Sequence, residues 1–228
     1  MRGYLHRPEF LERLSREEAQ ELGRICPPRS YAKGAVIFHQ GDPCDALQIV
    51  LAGTLKMVRH RPQGERLIGL ASRGDFLGFP FLTEGACHQA EVVALSEVTL
   101  CPIDRDQFVQ VARQLPRVAL FLLEVLGKRI GELEDRLTWV TAPAAARLGR
   151  ALLGLAERYG RPDEDGWTVL KLPVTQEELA SLAGLTRVTA TQILSGFREL
   201  GLVEGTRGTY RLRPEALESH LLELEESL

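Results

Sequence analysis

Apolar and polar positions recur with different periods along this chain. Between about Pro8 and Arg24, Phe10, Leu11, Leu14, Ala19 and Leu22 fall at near-helical spacing, and Ser15 precedes Glu18 by three residues, the pattern of a capping box. A short helical lead-in is expected there. From Tyr31 to Ile103 the texture changes to apolar runs of strand length: Val36–Phe38, Leu47–Leu51, Leu55–Val58, Leu67–Leu70, Val92–Leu95 and Val98–Cys101. Turn formers such as Lys33-Gly34, Gly41-Asp42-Pro43, Ala52-Gly53, Pro62-Gln63-Gly64, Gly74-Asp75 and Glu84-Gly85 separate them. Short strands at such even intervals predict a β-sandwich, jelly roll or barrel of roughly eight strands.

Around Arg105 the helical period returns, and Pro116 suits the first turn of a long helix. Leu123, Ile130 and Leu137 repeat every seven residues, and Ala119, Leu126, Leu133 and Val140 form a second series offset by three. Such an a/d stripe fits either a helix laid on its own sheet or a seam between two copies. Its unbroken run between charged Lys128, Arg129, Glu132, Glu134, Asp135 and Arg136 favours the seam, with Leu123, Leu126, Ile130, Leu133 and Leu137 as dimerisation residues. Thr141-Ala142-Pro143 then ends the helix, because proline lacks the amide proton and biases the residue before it out of helical geometry.

Beyond that break, 144–159 reads as a helix, 160–166 as an exposed loop and 167–172 as a strand. Residues 175–203 read as two helices meeting at Gly184-Leu185-Thr186, with Thr175 and Thr186 as caps, a helix-turn-helix. An ordinary helical hairpin has the same spacing. Two features separate them. The second helix carries Arg187, Thr189, Thr191 and Gln192 on its outer N-terminal face, where a recognition helix meets base edges and phosphates. After it, 202–212 has the alternation and central glycines of a β-hairpin, the wing of a winged helix.

Composition adds limits. The chain has 228 residues, 44% hydrophobic and 26% charged, so it can build a core. A net charge of −3 gives no global positive field, and any nucleic-acid contact must come from a local patch. One exists on paper: Arg187, Arg198, Arg207, Arg211 and Arg213 face only Glu199 and Glu204 between residues 184 and 213. The tail from Glu215 to Glu226 is acidic. No run approaches the roughly 20 apolar residues of a membrane span, and a soluble, cytoplasmic protein is expected. Catalysis has no motif to support it, so the chain is expected not to be an enzyme.

Lys33-Gly34, Gly41-Asp42, Gly53, Gly64, Gly74-Asp75-Phe76-Leu77-Gly78, the long helix and the helix-turn-helix with its wing occur together and in order. In this the chain, from Leu11 to about Leu217, resembles the Crp/Fnr family of bacterial transcription regulators. The resemblance implies an α+β protein: an N-terminal jelly-roll (double-stranded β-helix) sensor domain with its lead-in over 1–115, a long dimerisation helix over 116–141, and a C-terminal winged helix-turn-helix over 142–228. It also implies a homodimer on double-stranded DNA with an inverted-repeat site, contact with RNA polymerase, most often activation, and a polymerase-facing loop near Arg161 to Gly166. The DNA-contacting set is then Thr175, Thr186, Arg187, Val188, Thr189, Thr191, Gln192 and Arg207. The family commonly places glutamate where Val188 stands and arginine where Gln192 stands; valine can pack on a thymine methyl but accepts no hydrogen bond from cytosine.

The sensed signal is less legible. The family's cyclic-AMP members use a Gly-Glu pair for the ribose and an Arg-Ser pair for the phosphate, yet Phe79 follows Gly78 and Cys87-His88-Gln89 stands at the second place. An effector pocket here would be lined by Phe79, Phe81, Cys87, His88 and Gln89 and is expected not to bind cyclic AMP. No cofactor is expected. The alternatives are an iron–sulfur cluster of the Fnr type, or redox thiols, on Cys26, Cys44, Cys87 and Cys101, since Cys101 matches that branch's internal cysteine although its N-terminal group is missing, and a sensing module that acts through protein contacts with a vestigial DNA-binding domain. The wide spacing of the four argues against a zinc finger or a disulfide-stapled domain, and Cys87 and Cys101 read most simply as small buried strand residues. His39, His60 and His88 are haem-ligand types that no spacing selects.

Overall fold

The computed structural model describes residues 12, 14–62, 64–138, 141–171, 174–206 and 208–226. The chain divides into two compact units between Arg129 and Ile130.

In the first unit the lead-in helix α1 spans Arg16–Ile25. The Ser15 hydroxyl accepts the Glu18 amide while the Glu18 carboxylate accepts the Ser15 amide, closing the capping box. Eight strands follow: β1 (Arg29–Tyr31), β2 (Val36–Phe38), β3 (Ala46–Ala52), β4 (Thr54–Arg61), β5 (Gly64–Ser72), β6 (Phe76–Leu77), β7 (Glu91–Ala94) and β8 (Val98–Asp104). They form two antiparallel four-stranded sheets, ordered β1-β8-β3-β6 and β2-β7-β4-β5, the expected jelly roll. β8 is buried on both faces: Val98 and Leu100 join one core cluster and Cys101 and Ile103 the other, while Thr99 and Pro102 are half-exposed. Gly53 turns β3 into β4 at φ +87°, where a Cβ would also collide with the Glu97 carbonyl oxygen. A short 3₁₀ turn, Phe79–Leu82, starts from Gly78 at φ +80°, and a Cβ on that glycine would come within 2.6 Å of the Ala46 carbonyl oxygen.

Helix α2 (Arg105–Gln114) begins at a second capping box, Asp104 with Gln107, and leads into the long helix α3 (Pro116–Thr138). Val118, Phe121 and Leu122 of α3 are buried in the same cluster as Leu22, Ile25, Leu47, Phe76 and Ile103. Leu126, expected on an intermolecular seam, is partly buried against that cluster instead, whereas Leu120, Leu123, Ile130 and Leu133 are exposed. Leu123, Ile130 and Leu133 thus keep the outward positions read along the sequence, and Leu126 alone of the described seam residues turns toward the core. The Leu137 side chain and Val140 lie outside the described residues.

The second unit holds α4 (Ala144–Tyr159), β9 (Arg161–Pro162), β10 (Thr168–Lys171), α5 (Gln176–Leu182), α6 (Arg187–Glu199), the hairpin β11 (Val203–Thr206) and β12 (Thr209–Leu212), and α7 (Pro214–Glu226). Its sheet runs β11-β12-β10-β9, antiparallel throughout. The glutamate-rich tail is not a loose end: α7 buries Leu217 and Leu221, and Leu221 packs over Gly149 of α4, where any larger residue would displace it.

The expectation of unpaired cysteines is corrected. Cys26, whose amide caps α1 on Leu22, and Cys101 on β8 form a disulfide with Cα atoms 5.5 Å apart, within bridging range. A fold that brings residues 75 apart into one core makes a pair that linear spacing conceals. No helix among the described residues is long and apolar enough to cross a membrane.

Candidate nucleic-acid interface

Helix α5 is started by Thr175, whose hydroxyl accepts the Glu178 amide at 3.1 Å while its own amide donates to the Glu178 carboxylate at 2.7 Å. Leu179 and Ala180 are fully buried, and the small Ala180 lets the turn close: the Leu185 amide donates to the Ala180 carbonyl. Gly184 takes φ +66° in that turn. Arg147 of α4 reaches the carbonyls of Ala183 and Gly184, both at 3.4 Å, and so holds the turn from behind. Thr186 then caps α6 by accepting the Thr189 amide, and the two hydroxyls lie 2.9 Å apart. Ala190, Leu194 and Phe197 anchor α6 inward. Val188, Thr191 and Gln192 are exposed on the opposite face and Arg187 is exposed at the helix start, together with Ser195, which sequence reasoning missed because a serine in mid-helix carries no pattern of its own. Thr175, Thr186 and Thr189 are thus partly engaged as caps, and Arg187, Val188, Thr191 and Gln192 form the free outer face.

The hairpin of β11 and β12 follows α6 as the wing, and Arg198 fastens the two by donating from Nε and Nη2 to the Gly205 carbonyl at 3.2 and 3.0 Å. Arg207 lies outside the described residues. The charge count made along the sequence is corrected in part. Arg211 of β12 is bound by Asp163 at 2.8 Å, Glu204 at 3.1 Å and Asp165 at 3.3 Å, and its guanidinium lies 5.2 Å from the Trp167 ring. The Arg211 hydrogen bond holds the Asp163 carboxyl below its ordinary range, and the Trp167 and Asp165 amides add to this. Arg213 also stacks on Trp167, at 4.5 Å. Two of the counted arginines therefore brace the domain, and the 161–166 loop is pinned to the wing strand through Asp163.

A helix-turn-helix on one unit and a two-sheet jelly roll on the other are what known proteins also carry. A profile described as "Cyclic nucleotide-binding domain" matches residues 28–114, and one described as "Crp-like helix-turn-helix domain" matches 146–220. The chain belongs to the Crp/Fnr family. It is 31% identical over 191 residues to the "Cyclic AMP receptor protein" of Thermus thermophilus, covering 83% of this chain and 85% of that one. It is 28% identical over 184 residues to the "CRP-like cAMP-activated global transcriptional regulator" of Mycobacterium tuberculosis, covering 80% and 82%. A solved CooA mutant from Carboxydothermus hydrogenoformans shares the fold with a TM-score of 0.77 at 22% identity, over 95% of this chain and 96% of that one. As a Crp/Fnr protein the chain is a transcription regulator with a DNA-binding helix-turn-helix, not an enzyme.

In this Crp/Fnr sensor the five expected effector residues differ in burial. Phe79 packs on the core; Phe81 is buried edge-on to Phe108, with ring centres 5.2 Å apart. His88 is buried and stacked on Phe38 at 3.5 Å, and burial lowers its pKa against the opposing pull of Asp42 and Asp45. Cys87 and Gln89 are exposed. An open groove of about 360 Å³ beside Phe81 is lined by Cys44 and Arg105 but also by Asp45, Glu84, Asp104 and Asp106, carboxylates that oppose a phosphate. The iron–sulfur alternative does not fit: Cys26 and Cys101 bind each other, the Cys44 thiol donates to the Gly78 carbonyl, Cys87 is exposed, and no group of three metal-ligating side chains converges among the described residues. For the haem-ligand types, His39 Nδ1 and His60 Nε2 are taken up by the two oxygens of Glu91 at 2.6 and 3.3 Å.

Proposed function

We propose that this protein is a homodimeric regulator, most simply an activator, that binds an inverted-repeat site through α6 and the wing and does so without cyclic AMP. The observation that carries the reading is the outer face of α6, where Arg187, Val188, Thr191 and Gln192 stand exposed on a helix fixed at its start by the Thr186 cap and at its end by Arg198. Half-sites are inverted, as two-fold symmetry requires, and lie about one helical turn of DNA apart, so that both copies of α6 meet the same face of the duplex. Thr175, Thr186, Thr189 and Arg207 serve the phosphate backbone, and the 161–166 loop faces RNA polymerase. Cyclic AMP is not the effector because Phe79 supplies apolar surface where a ribose acceptor is needed, and no arginine stands at residues 87–89 for the phosphate.

Selection from random duplexes with protein purified free of nucleotide tests this. Enrichment of an inverted repeat, with affinity unchanged by added cyclic AMP, is expected. No enrichment without cyclic AMP, or micromolar cyclic-AMP binding by calorimetry, would overturn it. Redox control is a second reading that one observation favours, the Cys26–Cys101 pair in the same cluster as Val118, Phe121 and Leu122 of α3. It predicts an operator affinity that changes on reduction in the wild type and not in Cys26→Ser.

A further inference from the structure

Val188 is the second residue of α6 and 67% exposed, more than any other large apolar side chain among the described residues. The fold makes no use of it. One turn along, at the i+3 position that shares its face, Thr191 is exposed too, and its hydroxyl donates to the Arg187 carbonyl oxygen at 2.8 Å. That bond commits the only proton the side chain can donate to the helix itself, so the γ-methyl is the branch left untied. Val188 and Thr191 together offer an apolar strip, with Arg187 beside it at one end and Gln192 at the other. The apolar group that base edges display in the major groove is the thymine C5-methyl.

Resting on the DNA-binding reading above, we propose that Val188 and Thr191 form a methyl-reading strip. Each half-site carries a thymine recognised by Val188 and another recognised by Thr191 through their methyl groups and not through hydrogen bonds, between a guanine read by Arg187 and an adenine read by Gln192. Specificity in the middle of the half-site then comes from burying methyls. The direct consequence is that the operator is sensitive to loss of a methyl that leaves every hydrogen-bonding group in place.

The test uses the full-length protein and the inverted repeat recovered by selection, with each thymine of a half-site replaced in turn by deoxyuridine, which removes the methyl alone. For the wild type, deoxyuridine should weaken binding about fourfold at one position per side chain, the value of one buried carbon group. Val188→Ala should be indifferent to deoxyuridine at the first position and Thr191→Ser at the second. Thr191→Val, which keeps a methyl and drops the hydroxyl, should bind like the wild type. Tight binding that tolerates deoxyuridine at every thymine would overturn the proposal while leaving DNA binding intact. So would a Thr191→Ser variant that binds normally beside a Thr191→Val variant that does not, since the hydroxyl would then be the reader. If no duplex is enriched at all, the DNA-binding reading fails and this one with it.

Discussion

His88 shows how one side chain can change meaning once packed. Along the chain it stands among candidate effector residues; in the fold its ring lies 3.5 Å from that of Phe38 and nearly parallel to it, its amide donates to the Asp42 carbonyl, and its carbonyl accepts from Gly41. Burial favours the neutral imidazole and lowers its pKa from 6.5. A lowered pKa means that the unfolded chain takes up the proton first as pH falls. The stability this residue contributes is therefore intact above about pH 6.5 and is lost as pH drops through the folded value. Urea midpoints measured from pH 8 to pH 5 should fall on the acid side and fall less steeply in His88→Gln; identical slopes would show that His88 is not the group responsible. Arg187 illustrates the opposite case, an exposed side chain with no structural duty in the fold. Arg187→Ala should cost roughly 1–3 kcal/mol of operator affinity and relax base preference at one position. Binding by gel shift to a panel of single-base operator variants checks this.

Helix α3 is built with two apolar faces, and their separation is a matter of rotation about the axis. Val118, Phe121 and Leu122 point into the sensor core, and Leu126 leans on it. Leu120, Leu123, Ile130 and Leu133 face outward, with Leu123 64% and Ile130 56% exposed. Apolar side chains left in water at i, i+3, i+10 and i+13 of one helix match the seam of a parallel helix pair. Burying each at such a seam is worth roughly 1.5–3 kcal/mol, enough for one glutamate to break it. Leu123→Glu and Ile130→Glu should each give a folded monomer by light scattering with much weakened operator binding. Leu126→Glu should instead lower the melting temperature of the sensor. A dimer unchanged in the first two variants would remove α3 from the interface.

For the molecule as a whole, thiol chemistry is confined to the sensor unit, and its four cysteines fall into distinct classes. The Cys26–Cys101 link joins the end of α1 to β8 across 75 residues. In the loop-closure account a link of that length is worth roughly 4 kcal/mol, so reduction should lower the thermal midpoint. Cys44 is buried, and burial, with Asp45 and Cys87 adding to it, pushes its thiol up and away from reactivity. Cys87 is exposed. Alkylation of the native, unreduced protein should therefore add one label, at Cys87, with Cys44 following only on unfolding. A label on Cys26 or Cys101 before reduction would contradict their pairing.

The periodic features were legible in the chain because they are local. The strand-length apolar runs of β3, β4, β5, β7 and β8, the capping residues Ser15, Thr175 and Thr186, the break at Pro143 and the hairpin after α6 each depend on residues within a few positions of one another, and folding kept them. The exposed face of α6 could be read for the same reason, since Arg187, Val188, Thr191 and Gln192 share one short helix. Contacts between distant segments were not legible. Nothing near Cys26 announces Cys101, and no count of charges foretells that Arg211 is spent on Asp163 and Glu204. The stripe on α3 was visible as a repeat, yet which of its residues would face the core depended on where α3 docks against β3, β6 and β8. That choice is made by packing over long sequence separations, which a one-dimensional period does not encode.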